Sequence, residues 1–170
     1  MINFKSINKL ISLGPLILLY YLSISEIDAH FENYFEILSF NIQLIIIYFW
    51  SLKRPEALGG GHVFFAGLIN DVVMGIPLGL SSLSYLVVSL VAAYIKNMTV
   101  NTRITTDWFT FFVAIFFSNL TFFILLNKFS DVAINVTEMS YNTFFTLLFF
   151  PFFWFLFTYY NSIMVIRKNA

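Results

Sequence analysis

The 170-residue sequence contains no cysteine, which excludes disulfides, thiolate metal sites and cysteine nucleophiles and leaves the redox compartment unread. Charge is scarce as well. Asp, Glu, Lys and Arg make up 11% of the chain, against 59% hydrophobic residues and a mean hydropathy of +0.84. So little polar surface cannot cover a soluble globule, and the composition predicts an integral membrane protein. Nine basic and nine acidic residues balance, and no basic cluster interleaved with aromatics suggests nucleic acid. Motifs for catalysis are missing too. Neither GxSxG nor HExxH occurs, and Gly59, Gly60 and Gly61 lack the Lys and Ser or Thr of a phosphate loop. No enzyme activity, metal or cofactor is expected.

What the chain does have is apolar length. Six stretches, near 8–25, 37–52, 61–77, 80–96, 108–127 and 143–166, predict an all-α fold of six transmembrane helices in a single domain spanning 1–170. The polar breaks between them are too short for a separate soluble domain. With the N-terminus inside, Lys5, Lys9, Lys53, Arg54, Lys96, Arg103, Arg167 and Lys168 all fall on the cytoplasmic side and only Lys128 outside. The same topology puts Glu26, Asp28, Glu32, Glu36, Asp131 and Glu138 outside, so both termini are expected in the cytoplasm. Trp50 and Trp108 then fall at the inner interface, where amphipathic rings favour the headgroups.

One carboxylate stands inside an apolar run. If a helix begins near Gly61, Asp71 lies about ten residues in, roughly 15 Å at 1.5 Å per residue, half of a hydrocarbon core roughly 30 Å thick. An ionised carboxylate at the midplane costs at least roughly 2.5 kcal/mol, so Asp71 should face protein or water, or be protonated. Gly67, Asp71 and Gly75 recur every four residues and share one face, where small residues admit a neighbouring backbone. This helix is expected at the centre of the bundle, ending near Gly75 or Ile76 because Pro77 and Gly79 break it into a hairpin. Three roles stay open for Asp71: proton carrier, clamp between helices, or polar contact with another membrane protein. Asn119, with Ser118 and Thr121, is the candidate partner at similar depth. Two acid groups would be needed for an aspartyl protease, and only Asp71 lies at depth. His62, roughly 13 Å away along the helix and on its opposite face, is read as an interfacial side chain.

Other segments read more plainly. The first stretch has signal-peptide features but is expected to be an uncleaved anchor. Segment 26–36 alternates an apolar face with the acidic ridge Asp28, Glu32 and Glu36. Helix four carries Ser81, Ser82, Ser84, Ser89, Ala92 and Ala93, suited to close packing on helix three. The last stretch is aromatic and lipid-facing, with Pro151 as a bend. Asn135, Val136 and Thr137 spell a sequon of the kind that arises often by chance.

The run Pro55 … Gly67-Leu68-Ile69-Asn70-Asp71 … Gly75-Ile76-Pro77-Leu78-Gly79, after a basic inner loop, resembles the bacterial rod shape-determining protein MreD family. The resemblance implies a non-enzymatic scaffold of the cell-elongation complex in the inner membrane. Implied partners, besides membrane lipid, are the bitopic protein MreC and, through it, the MreB filament, the RodA glycosyltransferase and a penicillin-binding transpeptidase, directing lateral peptidoglycan synthesis. Pro55, Gly67, Asp71, Gly75, Pro77, Gly79 and Asn119 are the expected structural or partner-facing residues. Size and helix count are also similar to the substrate-binding components of energy-coupling-factor vitamin importers. Against that alternative, helix one has no alanine for their Ala-x-x-x-Ala face, and Asn41, Gln43 and His30 are few polar groups for a ligand.

Overall fold

The structure, a computed structural model, describes residues 13–25, 40–98, 103–129 and 136–168, with side chains through residue 165. The described residues form six helices and no strand: α1 (Gly14–Ile24), α2 (Ile42–Lys53), α3 (Gly60–Met74), α4 (Leu80–Met98), α5 (Ile104–Phe129) and α6 (Val136–Lys168). Three of these, α4, α5 and α6, are long and apolar enough to cross a membrane; α1, α2 and α3 are shorter, at 11, 12 and 15 residues. The acidic ridge at 26–36 and Asn135 of the sequon lie outside the described residues.

The centre of the bundle is α2, and not α3 as the glycine pattern suggested. Every residue from Leu44 to Leu52 is buried, with α1, α4, α5 and α6 packed around the helix. Its sequence, IQLIIIYFWSLK, is apolar on all sides, the pattern of a helix that meets protein in every direction. On α3 only Val63, Ala66, Gly67 and Asp71 are buried. Trp50, expected at the inner interface, is instead 1% exposed, in the core against Phe49, Phe157 and Tyr160. Trp108 is about half exposed.

Hydrogen bonds fix the relative directions. Between α2 and α4, Tyr85 Oη donates to Gln43 and Ser51 meets Ser89, so the two helices advance together. The pairs of α2 with α6, Asn41 with Thr146 and Arg54 with Met164, also advance together. Those of α2 with α5, Tyr48 with Thr110 and Lys53 with Asp107, run oppositely. Ser118 Oγ donates to the Ser84 carbonyl, and Gln43 Nε2 to Asn70 Oδ1. Chain direction therefore alternates from α2 through α6. Lys53, Arg54, Lys96 and Arg103 gather at one end; Lys128 and Glu138 lie at the other.

Two backbone details follow from single residues. Helix α6 runs through Pro151, which has no N–H for the carbonyl four residues earlier, that of Leu147. Trp108 Nε1 of α5 donates to that carbonyl at 2.9 Å and supplies the missing bond. Where α3 crosses α4, a Cβ on Gly67 would come within 2.4 Å of Ser82 Cα and 2.6 Å of Ser82 N. Both are backbone atoms, so only glycine fits.

Gly67→Ala is expected to destabilise the purified protein by about 1–3 kcal/mol, the usual effect of overpacking. Gly60→Ala, where a Cβ meets nothing within 4 Å, is the matched control and should leave the thermal midpoint in detergent unchanged or slightly raised.

Candidate functional site

The turn between α3 and α4 is built on glycines at two positions that demand them. Gly75 ends α3 in the left-handed region (φ 65°), its N–H bonding the Val72 carbonyl at 3.3 Å, while the Ile76 N–H bonds the Asp71 carbonyl at 3.1 Å. This pair of bonds satisfies carbonyls that the helix end would leave open. Pro77 and Leu78 carry the chain round to Gly79 (φ 103°), the residue before α4.

A helix start leaves its first amides without partners, and Gly79 has no side chain with which to cap them. Asp71 provides the cap from the preceding helix. Its Oδ2 accepts the Gly79 N–H at 2.7 Å and its Oδ1 accepts the Ser81 N–H at 2.8 Å, with the residue 0% exposed. Two charge-assisted bonds and the positive end of the α4 dipole compensate the loss of water. The helix expected to end near Gly75 or Ile76 stops at Met74, so Asp71, about ten residues in, sits in the last turn of α3, level with the start of α4. Both oxygens face backbone donors inside the protein, an arrangement that ties two helices together.

The neighbouring polar groups continue from this cap. Asn70 Nδ2 donates to Ser81 Oγ at 3.1 Å, Gln43 Nε2 donates to Asn70 Oδ1 at 3.3 Å, and Tyr85 Oη donates to Gln43 Oε1. Helices α2, α3 and α4 are thereby joined through one chain of side chains. Ser82 Oγ adds a bond to the Phe64 carbonyl at 3.1 Å, next to the Gly67 crossing. Asn119 does not belong to this group: its Nδ2 donates to Thr143 Oγ1 at 2.6 Å and joins α5 to α6. Ser118 and Thr121 bond backbone carbonyls instead. Pro55 is exposed in a turn closed by the Ala57 N–H on the Arg54 carbonyl at 2.9 Å, far along the chain from the cap. His62 Nδ1 lies 3.2 Å from Tyr20 Oη and joins α3 to α1.

A second buried carboxylate escaped the sequence reading. Asp107, placed there in a polar break, is 0% exposed in the first turn of α5. Its Oδ2 accepts from Lys53 Nζ and from Trp154 Nε1, each at 2.9 Å, and the Lys53 ammonium also stands over the Trp154 ring at 5.9 Å. Three helices, α2, α5 and α6, meet at this ion pair. The available signal was its position: a carboxylate in a first helical turn, beside a tryptophan, with a lysine ending another helix of the same bundle.

Among the described residues, no group of three or more His, Cys, Asp or Glu is arranged to hold a metal. Compared with known families, residues 7–161 match the model of the rod shape-determining protein MreD. The chain belongs to the MreD family. Comparison with curated proteins and with solved structures finds no match. MreD is a rod-shape-determining membrane protein, a structural family not known for catalysis. The apolar helices of this member agree with a place in the membrane.

If the Asp71 carboxylate acts as the α4 cap, Asp71→Leu should cost about 2–6 kcal/mol by leaving two amides unpaired, at about 1–3 kcal/mol each. Asp71→Asn, with one acceptor oxygen, should fall between it and the native protein; chemical unfolding in detergent gives the order. Lys53→Met leaves Asp107 buried without its counter-charge and should cost about 3–5 kcal/mol, with much of the loss recovered in the Lys53→Met, Asp107→Leu double variant.

Proposed function

We propose that this MreD-family chain is a non-enzymatic scaffold of the cell-elongation complex, held in the bacterial inner membrane as a single six-helix domain. The family match over residues 7–161 carries this reading. On it the end bearing Lys53, Arg54, Lys96 and Arg103 faces the cytoplasm by the bias of lysine and arginine to that side, with both termini there. Alternating chain directions from α2 to α6 support five of the six crossings. The shorter helices cross beside longer ones, with the start of α2 capped by Asn41.

The α3–α4 hairpin sets the partner-facing surface on this reading, with Pro55, Gly67, Asp71, Gly75, Pro77 and Gly79 shaping it and Asn119 tying the neighbouring pair. Asp71 acts indirectly, by fixing the turn, while the outward side of α3 presents Phe65 and Val72, 58% and 67% exposed. That side meets MreC and, through it, MreB, RodA and a penicillin-binding transpeptidase, so that lateral peptidoglycan synthesis is coordinated by contacts within the bilayer. The importer-like alternative, including a shared fold, is less well supported. Gln43 and Asn41, which would have to meet a ligand, are engaged by Tyr85, Asn70, Thr146 and the Leu44 amide.

Photocrosslinkers at Phe65 and Val72 should capture MreC in cells, whereas exposed positions of α6 such as Phe155 should not. Asp71→Asn and Asp71→Leu, at matched expression, should weaken MreC pull-down and round the cells. If both variants keep expression, pull-down and rod shape, the hairpin is not the organising surface. Copurification of a vitamin-like ligand would favour the importer reading instead.

A further inference from the structure

At the basic end of the bundle three buried oxygen atoms have no hydrogen-bond partner among the described residues: Asp107 Oδ1, Thr158 Oγ1 and Asn161 Oδ1. They are related by the fold. Trp154, Thr158 and Asn161 stand at positions i, i+4 and i+7 of α6, within about 60° of one another around the helix. Trp154 is bonded to Asp107 Oδ2, which orients that face of α6 toward α5 and the ion pair. Thr158 and Asn161 extend the seam that opens between α5 and α6 at Asp107: they stand about 6 and 10.5 Å beyond Trp154 in helical rise, the second past the start of α5.

Leaving such groups unmet costs about 1–3 kcal/mol each, so the seam calls for a donor. An anion is excluded by the carboxylate. A second cation is disfavoured because Lys53 already offsets the charge of Asp107, at 2.9 Å. What fits is a small neutral molecule that both donates and accepts. Thr158 and Asn161 are about 4.5 Å apart in helical rise, which suits a short file better than one molecule.

We propose that the α5–α6 seam is an internal hydration site in which water donates to Asp107 Oδ1 and Asn161 Oδ1 and pairs with the Thr158 hydroxyl. The Lys53–Asp107 ion pair is then a hydrated junction. Trp154 ties α6 to it directly, and the next two turns of α6 are joined to it through water. Buried waters of this kind bridge polar groups that the chain itself does not satisfy. The inference does not depend on the scaffold reading or on any partner.

Water-edited solid-state NMR of the full-length protein in bilayers tests it. Magnetisation from water should reach Asp107, Thr158 and Asn161 quickly, while Ala114, 0% exposed in the same helix as Asp107, stays dark. In the Thr158→Val, Asn161→Leu variant the transfer to Asp107 should drop to the level of Ala114. Thr158→Val alone, the smaller change, serves if the double variant does not fold, and should reduce the transfer to Asp107 several-fold. No transfer in the native protein, transfer unchanged in the variants, or transfer arising from lipid headgroup protons would each overturn the proposal.

Discussion

A helix that begins inside a membrane protein exposes amides that lipid cannot satisfy, and α4 is preceded by a glycine that has no side chain to help. The Asp71 carboxylate resolves this from one helix away. Its backbone carbonyl closes the end of α3 and its side chain opens α4, so a single residue holds both sides of the Gly75–Gly79 turn. Close approach at Gly67 and Ser82 depends on that turn, since the α3–α4 crossing tolerates no added atom. The chain through Ser81, Asn70, Gln43 and Tyr85 then carries the placement of the hairpin to α2.

The same logic recurs at the opposite end. Asp107 stands in the first turn of α5, where the helix dipole favours a negative charge, and is met by a lysine that ends α2. Each buried carboxylate therefore lies at a helix start, one compensated by backbone amides and the other by an ion pair. Their costs differ accordingly. The first needs no counter-ion, which explains how Asp71 is accommodated without a cation at its depth, whereas the second depends on Lys53 keeping its charge.

Much of the hairpin was legible in sequence, because glycine, proline and a carboxylate in an apolar run are rare enough to mark a turn and a close crossing. The end of α3 at Gly75 and the serine face of α4 follow from local chemistry. The task of Asp71 did not, since counting from Gly61 places the residue along its helix but says nothing of the backbone donors that its carboxylate meets. Partner choice was harder still. Asn119 has the right chemistry to meet Asp71, yet amides only eight and ten residues along the chain take both carboxylate oxygens. Centrality was misread because small residues mark close contact rather than enclosure; the better signal was the unbroken apolar run of α2. Asp107 was missed for the opposite reason, as a charge near a helix end looks like solvent-facing punctuation until the fold brings Lys53 and Trp154 to it.

Helices of unequal length pose one further constraint. The 12-residue α2 starts level with Thr146, ten residues into α6, so its first amides lie beside the flank of a longer helix. Such a start is stable in lipid only if every polar group there is met by protein. Asn41 meets two of these groups: its Oδ1 accepts the Leu44 N–H at 3.1 Å and its own N–H donates to Thr146 Oγ1 at 2.8 Å. The Leu147 carbonyl, orphaned by Pro151 one residue further along α6, is met by Trp108. Short α2 sits at the centre with its first turn tied to Thr146 of α6 and the lysine of its last turn paired with Asp107 of α5. A uniform set of long helices would not need those residues, and their presence is the reason the bundle can be built around its second-shortest member among the described helices.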